Sequence, residues 1–160
     1  MAAYDGGDLE AALERLSYYV QQKKDEIEVV DALLKFADAR RRVPLPAGRH
    51  LIEATGLYQH ARRLLTDHPG VAQRERRLIE TDRRLLALYG AQGMGAELVD
   101  TAARLLERAP GDREALAALA QVRCEQREFA GAGTCIDRLI ALEPEDLESV
   151  SYTHLRAHET

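Results

Sequence analysis

Between Leu9 and Leu142 the apolar residues recur at three- and four-residue intervals, the period of helices that bury one face and wet the other. No alternating strand-like run of comparable length interrupts them. Seven helices are predicted, at 8–22, 26–40, 50–66, 71–91, 95–108, 113–126 and 129–142, with the start of an eighth after Pro144. The expected inner faces carry Ala12, Leu16 and Tyr19 in the first, and Val30, Leu33, Leu34 and Ala37 in the second. Ala54, Leu57, Tyr58, Ala61 and Leu65 serve the third. Leu116, Leu119 and Ala120 serve the sixth, and Phe129, Ala132, Ile136, Leu139 and Ile140 the seventh. None of these stripes can be buried by its helix alone, so the helices must pair and the pairs must stack.

Breakers divide the helices. Pro44 and Pro46, two apart, stop a helix and predict a loop of roughly ten residues before it resumes near Leu51. Pro69-Gly70, Pro110-Gly111-Asp112 and Pro144-Glu145-Asp146 mark later turns, and the last two prolines are 34 residues apart. The run Gly90-Ala91-Gln92-Gly93-Met94-Gly95 has no preceding strand and no Gly-Lys-Ser/Thr ending. It therefore reads as a helix–helix turn with a left-handed glycine cap, not as a phosphate loop.

A period of 34 with two helices per unit resembles the tetratricopeptide repeat family. In the last unit Leu116, Leu119, Ala120, Ala132, Ile136, Leu139 and Pro144 fall in that family's register, with Arg123 in the place of an aromatic and Arg127 in that of the turn glycine. The preceding unit fits at Leu85, Leu86, Tyr89, Gly93, Ala102, Leu105 and Pro110 and departs at Asp82, where a large residue is expected, and at Leu98, where a small one is. The resemblance covers 4–148. It implies an all-α fold, helix-turn-helix repeats stacked as a short right-handed α-solenoid of about 3.5 repeats. An irregular all-α bundle is the alternative architecture. The resemblance also implies a concave groove lined by the first helix of each repeat, which binds a peptide or a partner's helix. Carried over by register, the groove positions are Asp31, Lys35 and Asp38, then Arg83 and Ala87, then Ala117, Gln121 and Glu125. Acidic residues and alanine stand where the subset that clamps a terminal carboxylate needs amides and ammonium groups, so that subset is not matched.

Composition adds one feature. Of 22 basic residues only Lys23, Lys24 and Lys35 are lysine, and the formal net charge is −5. The abundance of arginine, alanine and leucine points to a gene rich in G and C. Twelve basic and six acidic residues lie from Lys35 to Arg84, which makes the middle of the chain locally positive. Such a band can attract acidic peptides or phosphate. The alternative, which we favour, is that long arginines cover helix flanks and pair with nearby carboxylates. The band holds one tyrosine, Tyr58, with Tyr89 just beyond it, both on predicted core faces, and one other aromatic, Phe36, so the aromatic interleaving that stacks bases is missing and nucleic acid is a poor partner.

Little points to catalysis. Cys124 and Cys135 are eleven apart, form no Cys-x-x-Cys, and are expected as small fillers inside helices. His50, His60 and His68 lack the three- or four-residue spacing of metal ligands on one helical face. No catalytic residue, metal site or cofactor is assigned. No stretch has the length and apolarity of a membrane span. The function expected is a non-catalytic protein–protein interaction module. The alternative is an accessory segment of a larger multidomain enzyme.

Both ends carry expectations of their own. The first helix of the first unit is missing before Gly7 and Asp8, and the exposed half-units could self-associate. Residues 150 to 160, Val-Ser-Tyr-Thr-His-Leu-Arg-Ala-His-Glu-Thr, read as the translation of a transposase-type sequencing adapter. Residues 149–160 are therefore expected to be non-native, and 4–148 a fragment of a longer bacterial protein. Its location defaults to the cytoplasm, since a targeting signal could be lost with the start of the chain.

Overall fold

The computed structural model describes residues 9–23 and 26–142. The adapter-like stretch 149–160, the Gly7-Asp8 cap and the turn at Pro144 lie outside the described residues. Those residues hold seven α-helices and no strand: α1 (Leu9–Gln22), α2 (Val30–Arg42), α3 (Arg49–Asp67), α4 (Arg74–Ala91), α5 (Gly95–Arg108), α6 (Arg113–Glu125) and α7 (Phe129–Leu142). Short 3-10 turns, Ile27–Val29 and Pro46–Gly48, lead into α2 and α3. No described helix is long and apolar enough to cross a membrane. The chain divides into two compact units, one ending at Met94 and the other beginning at Gly95.

In the first unit each helix packs on the next, α1 on α2, α2 on α3 and α3 on α4. Val20, Val29, Val30, Leu33, Ala61, Leu64, Leu65 and Leu78 form a buried core from all four helices and the turn before α2. Each large member contributes about 2 kcal/mol by leaving water. Small residues let the helices approach: Ala37, Ala54 and Ala61 are fully buried. At the first helix the expectation needs correcting. Ala12 is buried as expected, but Tyr19 is 40% exposed, and Leu13 and Val20 are buried in its stead. The reason is the phase of α1: where it packs on α2, its narrow buried strip runs through Ala12, Leu13 and Val20 and leaves Tyr19 at the edge.

The loop after α2 is shorter than expected and the one after α3 longer, each for a local reason. Arg41 and Arg42 continue α2 because Arg41 Nε reaches Asp38 one turn back, at 2.9 Å. The bend 43–48 then turns on two left-handed residues, Ala47 (φ 56°) and Gly48 (φ 70°). Glycine takes that conformation freely, whereas the alanine costs about 1 kcal/mol. The Leu45 N–H donates to His50 Nδ1 at 3.1 Å, which ties the bend to the first turn of α3. The helix expected from residue 71 begins at Arg74. Arg74 is occupied with the preceding helix: its Nε donates to the Leu65 carbonyl at 2.6 Å and its Nη2 to that of Thr66 at 3.2 Å, satisfying carbonyls that α3 leaves open. α4 closes at Gly93 (φ 69°), where the Met94 N–H bonds back to the Tyr89 carbonyl at 2.9 Å. The glycine-rich run is thus a helix-ending turn.

In the second unit α5 packs on α6 and α6 on α7. Ala102, Leu105, Ala115, Leu116, Leu119, Ala132 and Cys135 are its buried centre. Asp112 caps α6, its carboxylate accepting the Ala115 N–H at 2.9 Å. The two arginines that depart from the repeat pattern each have a physical role. Arg127 takes the left-handed turn itself (φ 62°), with the Glu128 N–H closing on the Arg123 carbonyl at 2.7 Å. Arg123 lies over Gly131, donates to its carbonyl at 3.1 Å and would come within 3.0 Å of a Cβ placed there.

α7 is a second correction. Phe129 (68% exposed), Ile136 (42%) and Ile140 (47%) do not face inward. α6 is the helix packed on α7 in this unit, and that contact buries Ala132 and Cys135 while the wider apolar stripe extends past it. Cys124 is exposed rather than a filler.

Candidate functional site

The face shared by α2 and α4 is built from two carboxylates and two guanidinium groups. Asp31 and Asp38 stand seven residues apart on α2, and Arg77 and Arg84 stand seven apart on α4. Asp31 Oδ1 meets Arg77 Nη2 at 3.2 Å, and Asp38 Oδ1 meets Arg84 Nε at 3.9 Å. Seven residues are two helical turns, about 10 Å. Two pairs in the same order therefore mean that the helices run alongside one another in the same direction. Lys35 lies half-buried one turn from each acid.

Asp38 is the centre of this face. It accepts from the buried Tyr58 hydroxyl of α3 at 2.8 Å and from Arg41 at 2.9 Å, with Arg42 at 4.0 Å. Burial pushes its carboxyl up. The hydrogen bonds from Tyr58 and Arg41 and the charges of Arg41 and Arg84 outweigh that and hold it below the ordinary carboxylate range. Burial, and the hydrogen bond to the Asp38 carboxylate, raise the Tyr58 hydroxyl above its usual value. The cluster therefore stays as carboxylate and neutral phenol.

Behind this face the α3–α4 contact is polar. Asp82, in the place of a large residue, is fully buried with Arg62 Nη1 3.6 Å from its Oδ1. Gln59 Nε2 donates to the Tyr89 hydroxyl at 2.7 Å, and Gln92 Nε2 to Thr55 Oγ1 at 2.9 Å. Much of the arginine band is neutralised in the same way. Arg40 and Arg49 reach Glu53, and Arg76 reaches Glu80.

Of the positions carried over by register, Asp31, Lys35, Asp38, Arg83 and Ala87 lie in the first unit. Asp31 is exposed, Lys35 and Asp38 are half-buried, and Arg83 and Ala87 are exposed on α4. The acids meet α4 through Arg77 and Arg84, which register did not single out. Ala117, Gln121 and Glu125 are exposed on α6 in the second unit, where Gln121 Nε2 donates to Glu125 at 3.1 Å. The signal that would have found Arg77 and Arg84 is the shared seven-residue spacing of acids on one helix and arginines on another.

Compared with known proteins, the chain matches no family model and no curated protein. The site must therefore be read from its own chemistry.

Where the start of α2, the end of α3 and the start of α4 converge, a cleft of about 500 Å³ opens beside Asp31 and Arg77. Among the described residues no group of histidines, cysteines and carboxylates is placed to hold a metal ion. His50 and His68 are instead engaged with the Leu45 N–H and the Leu64 carbonyl.

Proposed function

We propose that the helix pairs are tetratricopeptide-like repeats and that the protein is a non-catalytic interaction module, which recruits a protein partner by binding a peptide or a partner helix. One observation carries the reading: α2 and α4, the first helices of successive pairs, lie side by side in the same direction, tied by Asp31–Arg77 and Asp38–Arg84. That arrangement supplies a surface whose shape is set before a ligand arrives, so binding costs little ordering on the receptor side. Around the paired charges Asp31, Arg83 and Ala87 remain exposed for contact, while Asp38 and Lys35 lie half-buried between the helices. In the second unit Ala117, Gln121 and Glu125 give α6 a mixed polar face of the same kind.

The test is selection of a displayed random-peptide library on the full 160-residue chain, followed by binding to the double variant Asp31→Lys, Ala87→Glu. Both positions are exposed, and the Asp31–Arg77 pair that the variant breaks is worth at most about 1 kcal/mol, so the variant should keep its helix content. The reading expects enriched peptides that lose binding to the variant. Failure to enrich any peptide, or peptides indifferent to both substitutions, removes it.

A further inference from the structure

The cleft beside Asp31 has a chemical bias of its own. Its walls include Ile27, Pro69 and Val71, and its acids are Glu28, Asp31 and Asp67. The guanidinium that lines it, Arg77, is committed to Asp31 at 3.2 Å.

Two of the three acids are explained by the fold. Glu28 and Asp31 stand at the start of α2 and of its leading turn, where the positive end of the helix dipole favours carboxylates. Asp67 is not so explained. It is the last residue of α3, at the end where the dipole disfavours a carboxylate, and the last turn of that helix carries no basic residue. Arg74, which reaches back to this helix end, has its guanidinium spent on the Leu65 and Thr66 carbonyls and on Glu75, and Arg63, one turn earlier, lines the neighbouring pocket with Asp67 but forms no ion pair with it. Among the described residues no ion pair or hydrogen bond engages the Asp67 side chain. A carboxylate held at an unfavourable helix end, above an apolar wall, is complemented by a cation carried on an apolar stem.

Resting on the interaction-module reading, we infer that this cleft receives a lysine or arginine side chain of the bound peptide. The stem lies against Ile27, Pro69 and Val71 and the charged head meets Asp67. Asp31 belongs to both the cleft and the α2–α4 face, so a peptide on that face can reach the cleft with one side chain. An anion is the poorer occupant, because it would have to take Arg77 from Asp31 and face two further carboxylates.

The probe is agmatine, a butyl stem with a guanidinium at one end and an ammonium at the other, titrated into the full chain and followed through backbone amide chemical shifts. N-butylurea, which carries neither charge, serves as the neutral control. Agmatine is expected to move the amides of residues 27–31 and 67–71, to do so less at high salt, and to leave them still when butylurea replaces it. Asp67→Asn should weaken agmatine binding by roughly two- to fivefold, the worth of one part-exposed charge pair. Asp67→Glu should retain binding. Asp67→Asn should also raise the melting temperature by about 1–3 °C, since it removes a carboxylate from the negative end of α3. Equal shifts with butylurea, or agmatine binding indifferent to Asp67→Asn, overturn the inference. The two readings fail separately. Agmatine binding without any enriched peptide leaves a cation site and removes the peptide module. Enriched peptides that lack lysine and arginine and ignore Asp67→Asn keep the module and remove the basic-side-chain cleft.

Discussion

At the scale of single residues, Asp38 carries more interactions than its place in the sequence suggests. Tyr58 was legible as an inward residue from helical spacing alone. The partner of its hydroxyl was not, because a 20-residue separation between Asp38 and Tyr58 has no period to announce it. Truncating Asp38 to alanine leaves the buried Tyr58 hydroxyl without its acceptor and is expected to cost about 1–3 kcal/mol in urea unfolding. Tyr58→Phe removes one donor from a carboxylate that keeps Arg41, so about 1 kcal/mol is expected. The pH dependence has a defined sign. The Asp38 carboxyl is held below its ordinary value of 3.8, so its contribution is present above that value and is lost as pH falls through the lower folded-state value. The Tyr58 hydroxyl is raised above 10.0, so its contribution is present below that pH and is lost as pH rises beyond it. The stability difference between the wild type and Asp38→Ala should be flat between about pH 5 and pH 9 and shrink below about pH 4. A difference that grew on acidification would mean that Asp38 is not charged in the folded protein.

At the scale of elements, helix number and order were legible because each helix buries a stripe with the same period, and because Pro44, Pro46, Pro69 and Pro110 cannot sit inside one. The boundaries were less so. Arg74 sits where a helical pattern alone would continue back to Val71, but its side chain closes the carbonyl end of α3, a contact eight and nine residues away that no local rule shows. The inward set of α7 was overdrawn for a different reason. Periodicity identifies an apolar face but not how much of it a neighbour covers, and the contact with α6 covers only the part around Ala132 and Cys135. Two substitutions test the second unit. Asp112→Ala removes the cap of α6 and should cost about 1 kcal/mol. Leu119→Lys places a charge where a leucine is 6% exposed, and should cost about 3 kcal/mol or more, visible as lost helix signal on heating. An unchanged melting curve for Leu119→Lys would mean that the face of α6 turned to the interior is not the one carrying Leu116, Leu119 and Ala120.

At the scale of the molecule, the arginine-rich middle decides which class of partner the surface favours. Composition shows a positive stretch from Lys35 to Arg84 but not whether its charges are available. Folding brings carboxylates to them: Arg40, Arg41, Arg42, Arg49, Arg62, Arg74, Arg76, Arg77 and Arg84 each lie within 4.0 Å of one. An exposed pair is worth at most about 1 kcal/mol, so a phosphate could displace the carboxylate, but each exchange returns little. The net charge of −5 opposes the approach of a polyanion as well. A labelled DNA duplex titrated with the full chain should therefore show weak binding even at low salt. Because each phosphate neutralised adds about −0.9 to the slope of log affinity against log salt, the slope should correspond to no more than about three contacts. A steep slope, of the kind that six or more contacts give, would mean that the arginines leave their carboxylates for phosphate. The band would then be a nucleic-acid surface rather than the charged flank of the peptide-binding face we propose.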